Sequence, residues 1–389
     1  MEKKKWLLGE VLDNYDYLRK PLSSMQRETF KGDYPYYGAQ GIIDYVADYR
    51  YDGEYLLIAE DGENLSSRTA PIAQIAKGKY WVNNHAHVVK NNGNSDLYYI
   101  CYLLNHSDIA GYVTGSAQPK LSQRNLDKIK IELPPLHVQR RIASILSAYD
   151  NLIENNTRRI RLLEQMAENI YKEWFVRFRF PGHENAEFEN GLPKGWQLRH
   201  IGDVCETIGG GTPSTSKPEY WGGDIKWVTP TDITSKDSLP LLTIAGLITQ
   251  EGLNKSSAKL LPPYTILMTS RASIGFFGMA PFEVCTNQGF ISIIPHSENL
   301  RMYMLYLLKS RKEEIVMNAN GSTFLEISKG RFRKMRMLIP DDSTLNEFEK
   351  RARAIFDTVM KLEQQSMILA RQRDLLLPRL MSGKLEVRG

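Results

Sequence analysis

At 389 residues, with 42% hydrophobic and 24% charged side chains, the chain has the makeup of a soluble protein of two or three domains. No apolar run approaches the ~18 residues of a membrane span, and Trp6-Leu7-Leu8, behind the basic start, is too short for a signal peptide. The three scattered cysteines, Cys101, Cys205 and Cys285, argue against a disulfide framework and for a reducing, cytoplasmic setting. The net charge of +5 is compatible with nucleic acid but decides nothing alone.

In chain order, residues 1–133 read as short strands broken by turns. Tyr34-Pro35-Tyr36-Tyr37, Tyr55-Leu56-Leu57-Ile58-Ala59 and His87-Val88-Val89 are strand-like, and Asp96 to His106 reads as a short helix. Paired prolines at Pro134-Pro135 then open residues 134–181, free of further proline and glycine until Pro181-Gly182. There an apolar ladder runs Leu146, Tyr149, Ile153, Asn156, Ile160, Leu163, Ala167, Ile170, Trp174 in alternating steps of three and four. Such a seam predicts a helix packed along a partner helix. About 40 helical residues make a rod of roughly 60 Å.

Residues 182–340 repeat the first plan. Leu8-Gly9-Glu10-Val11 is echoed by Ile201-Gly202-Asp203-Val204, and Tyr102-Leu103-Leu104 by Tyr306-Leu307-Leu308. Trp81-Val82-Asn83-Asn84-His85 is matched with Val284-Cys285-Thr286-Asn287-Gln288. Gly115-Ser116 and Gly321-Ser322 stand 206 residues apart (115 to 321), as do Pro134 and Pro340. The same offset carries the ladder onto Ala352, Ile355, Val359, Leu362, Ser366, Leu369, Arg373, Leu376 and Leu380, apolar except at Ser366 and Arg373. Residues 341–389 are therefore expected to form a second long helix. Asp341-Asp342-Ser343-Thr344 offers N-cap groups, Pro378 should kink or loosen the last turns, and Gly383 should end it. The expected fold is α+β, a pseudo-two-fold repeat of globule, helix, globule, helix, its helices paired as an antiparallel coiled coil. Asn156 in the seam reads either as a register-setting amide or as a wet edge.

Two similar globules on a helical spacer suit the split sites of double-stranded DNA. The first carries Tyr36, Tyr37, Arg68, Lys79, Asn83, Asn84, His85, Gln118, Lys120 and Arg124. The second carries Lys217, Thr231, Arg271, Asn287, Gln288, Arg331 and Arg333. Asn and Gln pair bidentately with adenine, Arg with guanine, and Lys with phosphate. Taken singly, each also reads as a solvated surface group, and Arg331 to Arg336 as a strand with basic residues alternating on its outer face.

Three stretches then carry a resemblance. The first is Ile131-Glu132-Leu133-Pro134-Pro135 with Gln139-Arg140-Arg141-Ile142-Ala143 and Tyr171-Lys172-Glu173-Trp174-Phe175. The second is Gly209-Gly210-Gly211-Thr212-Pro213-Ser214 with Tyr220-Trp221-Gly222-Gly223-Asp224-Ile225 and Trp227-Val228-Thr229-Pro230-Thr231-Asp232-Ile233. The third is Leu375-Leu376-Leu377-Pro378-Arg379-Leu380-Met381-Ser382-Gly383. Over nearly its full length the chain resembles the specificity subunit of Type I restriction-modification systems. The resemblance implies two target-recognition domains reading a bipartite site, and helices holding two methyltransferase subunits on which restriction/translocase subunits assemble. Arg158, Arg159, Glu164 and Glu168 are then expected to face the methyltransferase, or else solvent. The first globule departs from the family in lacking a counterpart of Gly209 to Ser214.

No catalytic constellation emerges. Leu261-Pro262-Pro263-Tyr264 has leucine where amino-methyltransferases need an amine-binding Asn, Asp or Ser, so it reads as a turn entering a strand. Gly209 to Lys217 lacks the spacing of a phosphate loop. His85 and His87 alternate along a strand and face opposite ways, a poor metal pair. Pro340-Asp341-Asp342 reads as helix capping. Neither cofactor nor metal is expected. The alternative is a catalytic or regulatory protein whose rod serves only dimerisation.

Overall fold

A computed structural model of the chain describes residues 3–115, 118–321 and 325–387. Ser116 and Ser322 of the expected repeat lie outside them. The chain divides into two compact units, residues 1–153 with 368–389, and residues 154–367. Both dividing lines fall inside long helices, Leu136–Tyr171 and Asp342–Ser382.

In the first unit, one antiparallel sheet orders its strands Leu12–Asn14, Ala86–Asn91, Tyr55–Ala59, Ala73–Ala76. A second orders Gly41–Val46, Lys31–Gly38, Lys79–Val82, Tyr51–Asp52, with a parallel pair at its centre placing Tyr36 opposite Trp81. Lys4–Leu7 pairs with Lys130–Leu133 in a separate ribbon. The expected short helix is Leu97–His106, with Asp96 accepting from the Tyr99 amide at 3.0 Å as its N-cap. The core gathers Leu56, Ile58, Ile100 and Leu104 with Ile142 and Leu146 of one long helix and Leu380 and Met381 of the other.

The second unit repeats the strand order, with one strand fewer in its second sheet. Cys205–Gly209, Phe290–Pro295, Ile266–Thr269 and Phe277–Gly278 form its antiparallel sheet. Leu247–Ile248, Trp221–Val228 and Cys285–Thr286 form the second, again with one parallel pair. Gln197–His200 and Arg336–Ile339 make the ribbon. Leu8–Glu10 and Ile201–Asp203, the echoed tetrapeptides, are both single 3-10 turns. Leu261 to Tyr264 makes the expected turn, Tyr264 at φ +63°, before the strand Ile266–Thr269.

The motif at the end of the first long helix is the keystone of the second unit's core. Phe175, in a π-helical turn Lys172–Val176, lies 4.6 Å from the Tyr303 ring and 4.9 Å from Phe348. Asp341 caps the second long helix, accepting from the Thr344 amide at 3.0 Å and the Trp196 indole at 3.1 Å. These bonds outweigh burial and hold its carboxyl below the usual range. Pro378 does not interrupt that helix, which runs on to Ser382 and stops at Gly383, φ +79°.

No predicted seam residue is exposed; Leu146, Asn156, Trp174, Val359, Leu362 and Leu380 are buried, and Tyr149, Ile153, Ile160, Leu163, Ile170, Leu369 and Leu376 half-buried. The two polar interruptions of the second ladder each meet a polar group of the first helix. Within the second unit, the Asn156 amide donates to Gln365 Oε1 at 3.0 Å and to Ser366 Oγ at 3.2 Å. Within the first, Arg373 donates to Asp150, which also accepts from the Tyr102 hydroxyl. Asn156 is 4% exposed, so the wet-edge reading fails.

Glu164 and Glu168 are not free outward groups. Glu164 is buried and accepts the Leu239 amide at 2.8 Å, burial pushing its carboxyl up to about 6. Glu168 pairs with Lys309 at 2.9 Å. Arg158 and Arg159 are exposed. The three cysteine thiols are buried, which pushes each up to about 12.

Candidate nucleic-acid interface

In each unit a central strand ends where a returning loop crosses it, and this rim gathers some of the residues singled out from sequence but not all. In the first unit the Asn83 amide donates to the Tyr37 carbonyl at 3.0 Å, and Asn83 Oδ1 accepts the His85 amide at 2.8 Å. The Glu60 amide donates to the His85 carbonyl at 2.9 Å, and the Leu121 amide to the Glu60 carbonyl at 2.7 Å. The second unit repeats all four bonds, from Asn287 to Val228 at 3.1 Å, Gly289 to Asn287 Oδ1 at 2.9 Å, Ser270 to Gly289 at 2.8 Å and Ile327 to Ser270 at 3.0 Å. Asn83 thus corresponds to Asn287 and Asn84 to Gln288, one position away from the match made on sequence. The hydrogen bonds determine this register, which makes Trp81 the counterpart of Cys285 and Val82 that of Thr286.

These bonds also sort the candidates. Asn83 is buried, and both it and Asn287 brace their own turns. Tyr36 is 1% exposed, its hydroxyl accepting from the Leu22 amide at 2.8 Å, so it belongs to the core. Tyr37 is half-buried against Tyr80. Arg68, at φ +56°, spends its guanidinium on the carbonyls of Leu104, Asn105 and Ser107 at the end of Leu97–His106. Lys79 lies over the Tyr49 ring at 4.5 Å. Asn84, His85, Gln118, Lys120 and Arg124 are exposed.

In the second unit Lys217, Thr231, Arg271, Gln288, Arg331 and Arg333 are exposed. Arg331 and Arg333 sit on a helix, Lys329–Lys334, capped by Ser328, and not on the expected strand; strand structure begins only at Arg336. Arg331 donates to the Asn318 carbonyl at 3.1 Å and Arg333 to that of Gly202 at 3.4 Å. The glycine-rich loop packs beside Gln288, which accepts from Thr212. A Cβ on Gly210 would lie 2.0 Å from the Asn287 carbonyl oxygen, so only glycine fits there. Trp227 and Trp221 donate to the carbonyls of Gly211 at 2.9 Å and Ser214 at 3.1 Å, tying that loop to the sheet.

Sequence reasoning missed the charge network behind the first rim. His87 is buried, with Nδ1 at 2.6 Å from Asp16 and Nε2 at 2.8 Å from the Leu121 carbonyl. Both ring nitrogens face acceptors, so the ring carries both protons. Burial alone would lower its pKa, but the bonds to Asp16 and Leu121 outweigh it and raise it. Arg19 joins Asp16 at 3.0 Å to Glu60 at 2.7 Å, and Lys120 reaches Glu60 at 3.3 Å. Asp16, Glu60 and His87 bring three ligand atoms within 4.8 Å of one another. A metal ion there would have to strip a proton from His87 and displace Arg19, so the donor set suits an ion-pair network and not a metal. Its members are distant in sequence and follow no motif.

A family model, the Type I restriction modification DNA specificity domain, matches residues 3–165 and 193–371. The chain belongs to this family. Among curated specificity subunits of Type I restriction enzymes, the MjaIX subunit of Methanocaldococcus jannaschii is 32% identical over 198 residues, covering 50% of this chain and 46% of that one. The HindI subunit of Haemophilus influenzae is 22% identical over 329 residues, 69% of this chain and 71% of that one. The match thus spans about half the length of the archaeal relative. The S subunit of a Type I system from M. genitalium superposes with a TM-score of 0.64 at 13% identity, over 98% of this chain and 96% of that one, a likeness of fold. The specificity-domain match runs through both rims, and no helix among the described residues is long and apolar enough to cross a membrane.

Proposed function

We propose that the chain is the non-catalytic DNA-recognition subunit of a Type I restriction-modification complex. Residues 1–133 and 182–340 are the two target-recognition domains, each reading one half of a split duplex site. Residues 134–181 and 341–389 are the spacer helices, paired as an antiparallel coiled coil about a pseudo-two-fold axis. They dock two methyltransferase subunits, and through them the restriction/translocase subunits, with Arg158, Arg159, Leu162 and Met166 among the exposed side chains offered.

The observation that carries this reading is the repeated rim, the same four backbone and turn bonds presenting different side chains in the two units. Asn84, His85, Gln118, Lys120 and Arg124 in one, and Lys217, Thr231, Arg271, Gln288, Arg331 and Arg333 in the other, are the candidate contacts. Lys79 and Tyr37 flank the first. The rival reading, a rod serving only dimerisation, is disfavoured because the seam residues are already covered within one chain.

The test is to combine the full chain with the methyltransferase encoded beside it and map modified adenines in genomic DNA. One split motif is expected, and exchanging residues 194–340 for another recognition domain should change one half only. Modification independent of this chain, or both halves changing together, would overturn the proposal. Binding should also weaken steeply with salt, as phosphate contacts require.

A further inference from the structure

The two rims present hydrogen-bonding groups of opposite polarity at matching positions. In the first unit Asp61 pairs across a backbone bridge with Lys120; in the second the bridged pair is Arg271 with Glu326. The flanking bonds, Glu60 to His85 and Leu121 in one unit and Ser270 to Gly289 and Ile327 in the other, make Asp61 the counterpart of Arg271 and Lys120 that of Glu326. Acid and base have changed places.

The side chains extend the reversal outward. Both Asp61 oxygens lie within hydrogen-bond distance of His85 Nδ1, at 2.8 and 2.9 Å. A carboxylate can only accept, so His85 keeps its proton on Nδ1, and in the neutral ring Nε2 is an acceptor. The His85 side chain is 47% exposed, and its Nε2 has no protein partner among the described residues. At the matching place the second unit has Gly289 and no ring. Its Arg271, 47% exposed, is a donor only, held by Glu326 at 3.9 Å. An exposed pair of that length is worth little, so the guanidinium is readily given up to a ligand.

Resting on the function proposed above, we infer that Arg271 and the Asp61-held His85 are specificity-determining residues of opposite sense. Arg271 selects guanine in one half-site, through the acceptors O6 and N7. His85 selects a base offering an amino group, adenine or cytosine, in the other. Asp61 is a positioning residue, fixing the tautomer that makes His85 an acceptor.

The test is modification of a randomised duplex library by the full chain with its methyltransferase, with four variants. Arg271→Gln should relax one guanine position in one half-site, lowering discrimination there about tenfold to a hundredfold. Glu326→Gln, which spares the guanidinium, should keep that guanine. His85→Ala should relax an adenine or cytosine position in the other half-site alone. Asp61→Asn should weaken that preference without abolishing it, because an amide can hold either tautomer. Unchanged motifs in Arg271→Gln and His85→Ala, or a uniform fall across all sequences as phosphate contacts give, would overturn the inference. A wild-type chain that imposes no motif would overturn the function itself. Each variant's thermal melting accompanies the library, and the exposed Arg271 and His85 should leave it unchanged.

Discussion

The His87 network makes the stability of the first unit depend on pH in a calculable direction. His87→Gln removes the charge-assisted bond to Asp16 at 2.6 Å and the bond to the Leu121 carbonyl at 2.8 Å. Asp16 would remain largely buried with Arg19 and the Val88 amide, at 2.7 Å, as its partners. Breaking one partner out of a buried ion pair costs about 3–5 kcal/mol. Arg19 still offsets part of the Asp16 charge, so about 2–4 kcal/mol is expected. Because the folded-state pKa of His87 is raised, its stabilisation is complete below the ordinary histidine value, about 6.5, and fades as pH climbs through the raised one. Asp16 moves the other way: burial would raise it, but the His87 and Val88 bonds win and lower it, so its contribution is lost only in acid. Native-state hydrogen exchange of amides in Ala86–Asn91 reads the local free energy directly. Protection should fall from pH 6.5 upward, after correction for intrinsic exchange, and His87→Gln should abolish that dependence. Flat protection in the wild-type chain, or a variant costing under about 1 kcal/mol, would refute a buried imidazolium.

Phe175→Ala should destabilise the second unit by about 3–5 kcal/mol in denaturant unfolding, while Val176→Ala, at a residue 58% exposed, should be near neutral. A double-mutant cycle on Asp150 and Arg373, whose side chains are 36% and 28% exposed, should return a coupling of only about 0.5–1 kcal/mol. Gly210→Ala should displace the glycine-rich loop from the Thr286 and Asn287 carbonyls, and on the proposed function it should alter one half of the modified motif and leave the other intact in modification mapping.

Periodicity made the long helices legible, because a three-four ladder has one reading once a copy of it lies 206 residues on. Even its defects carried information: Ser366 and Arg373, the two polar rungs, are the ones that meet Asn156 and Asp150. The rims were harder. Composition and turn residues drew attention to these loops, yet Tyr36, Asn83 and Arg68 are spent on structure, since exposure cannot be read from residue type. The basic run after Ser328 alternated like a strand, but the serine cap started a helix. The charge network of Asp16, Arg19, Glu60 and His87 joins residues up to 71 positions apart, and no local pattern announces such a cluster.

The buried cysteines have a practical consequence. With every native thiol buried, and burial pushing each up to about 12, all three stay protonated at neutral pH and should react slowly with a maleimide. A cysteine introduced at exposed Asn84 or Gln288 would then be the sole reactive sulfur on an otherwise unaltered chain. Single-site fluorophores and crosslinkers become available without first stripping the protein of its own thiols, and the response of each rim to added duplex DNA can be read separately.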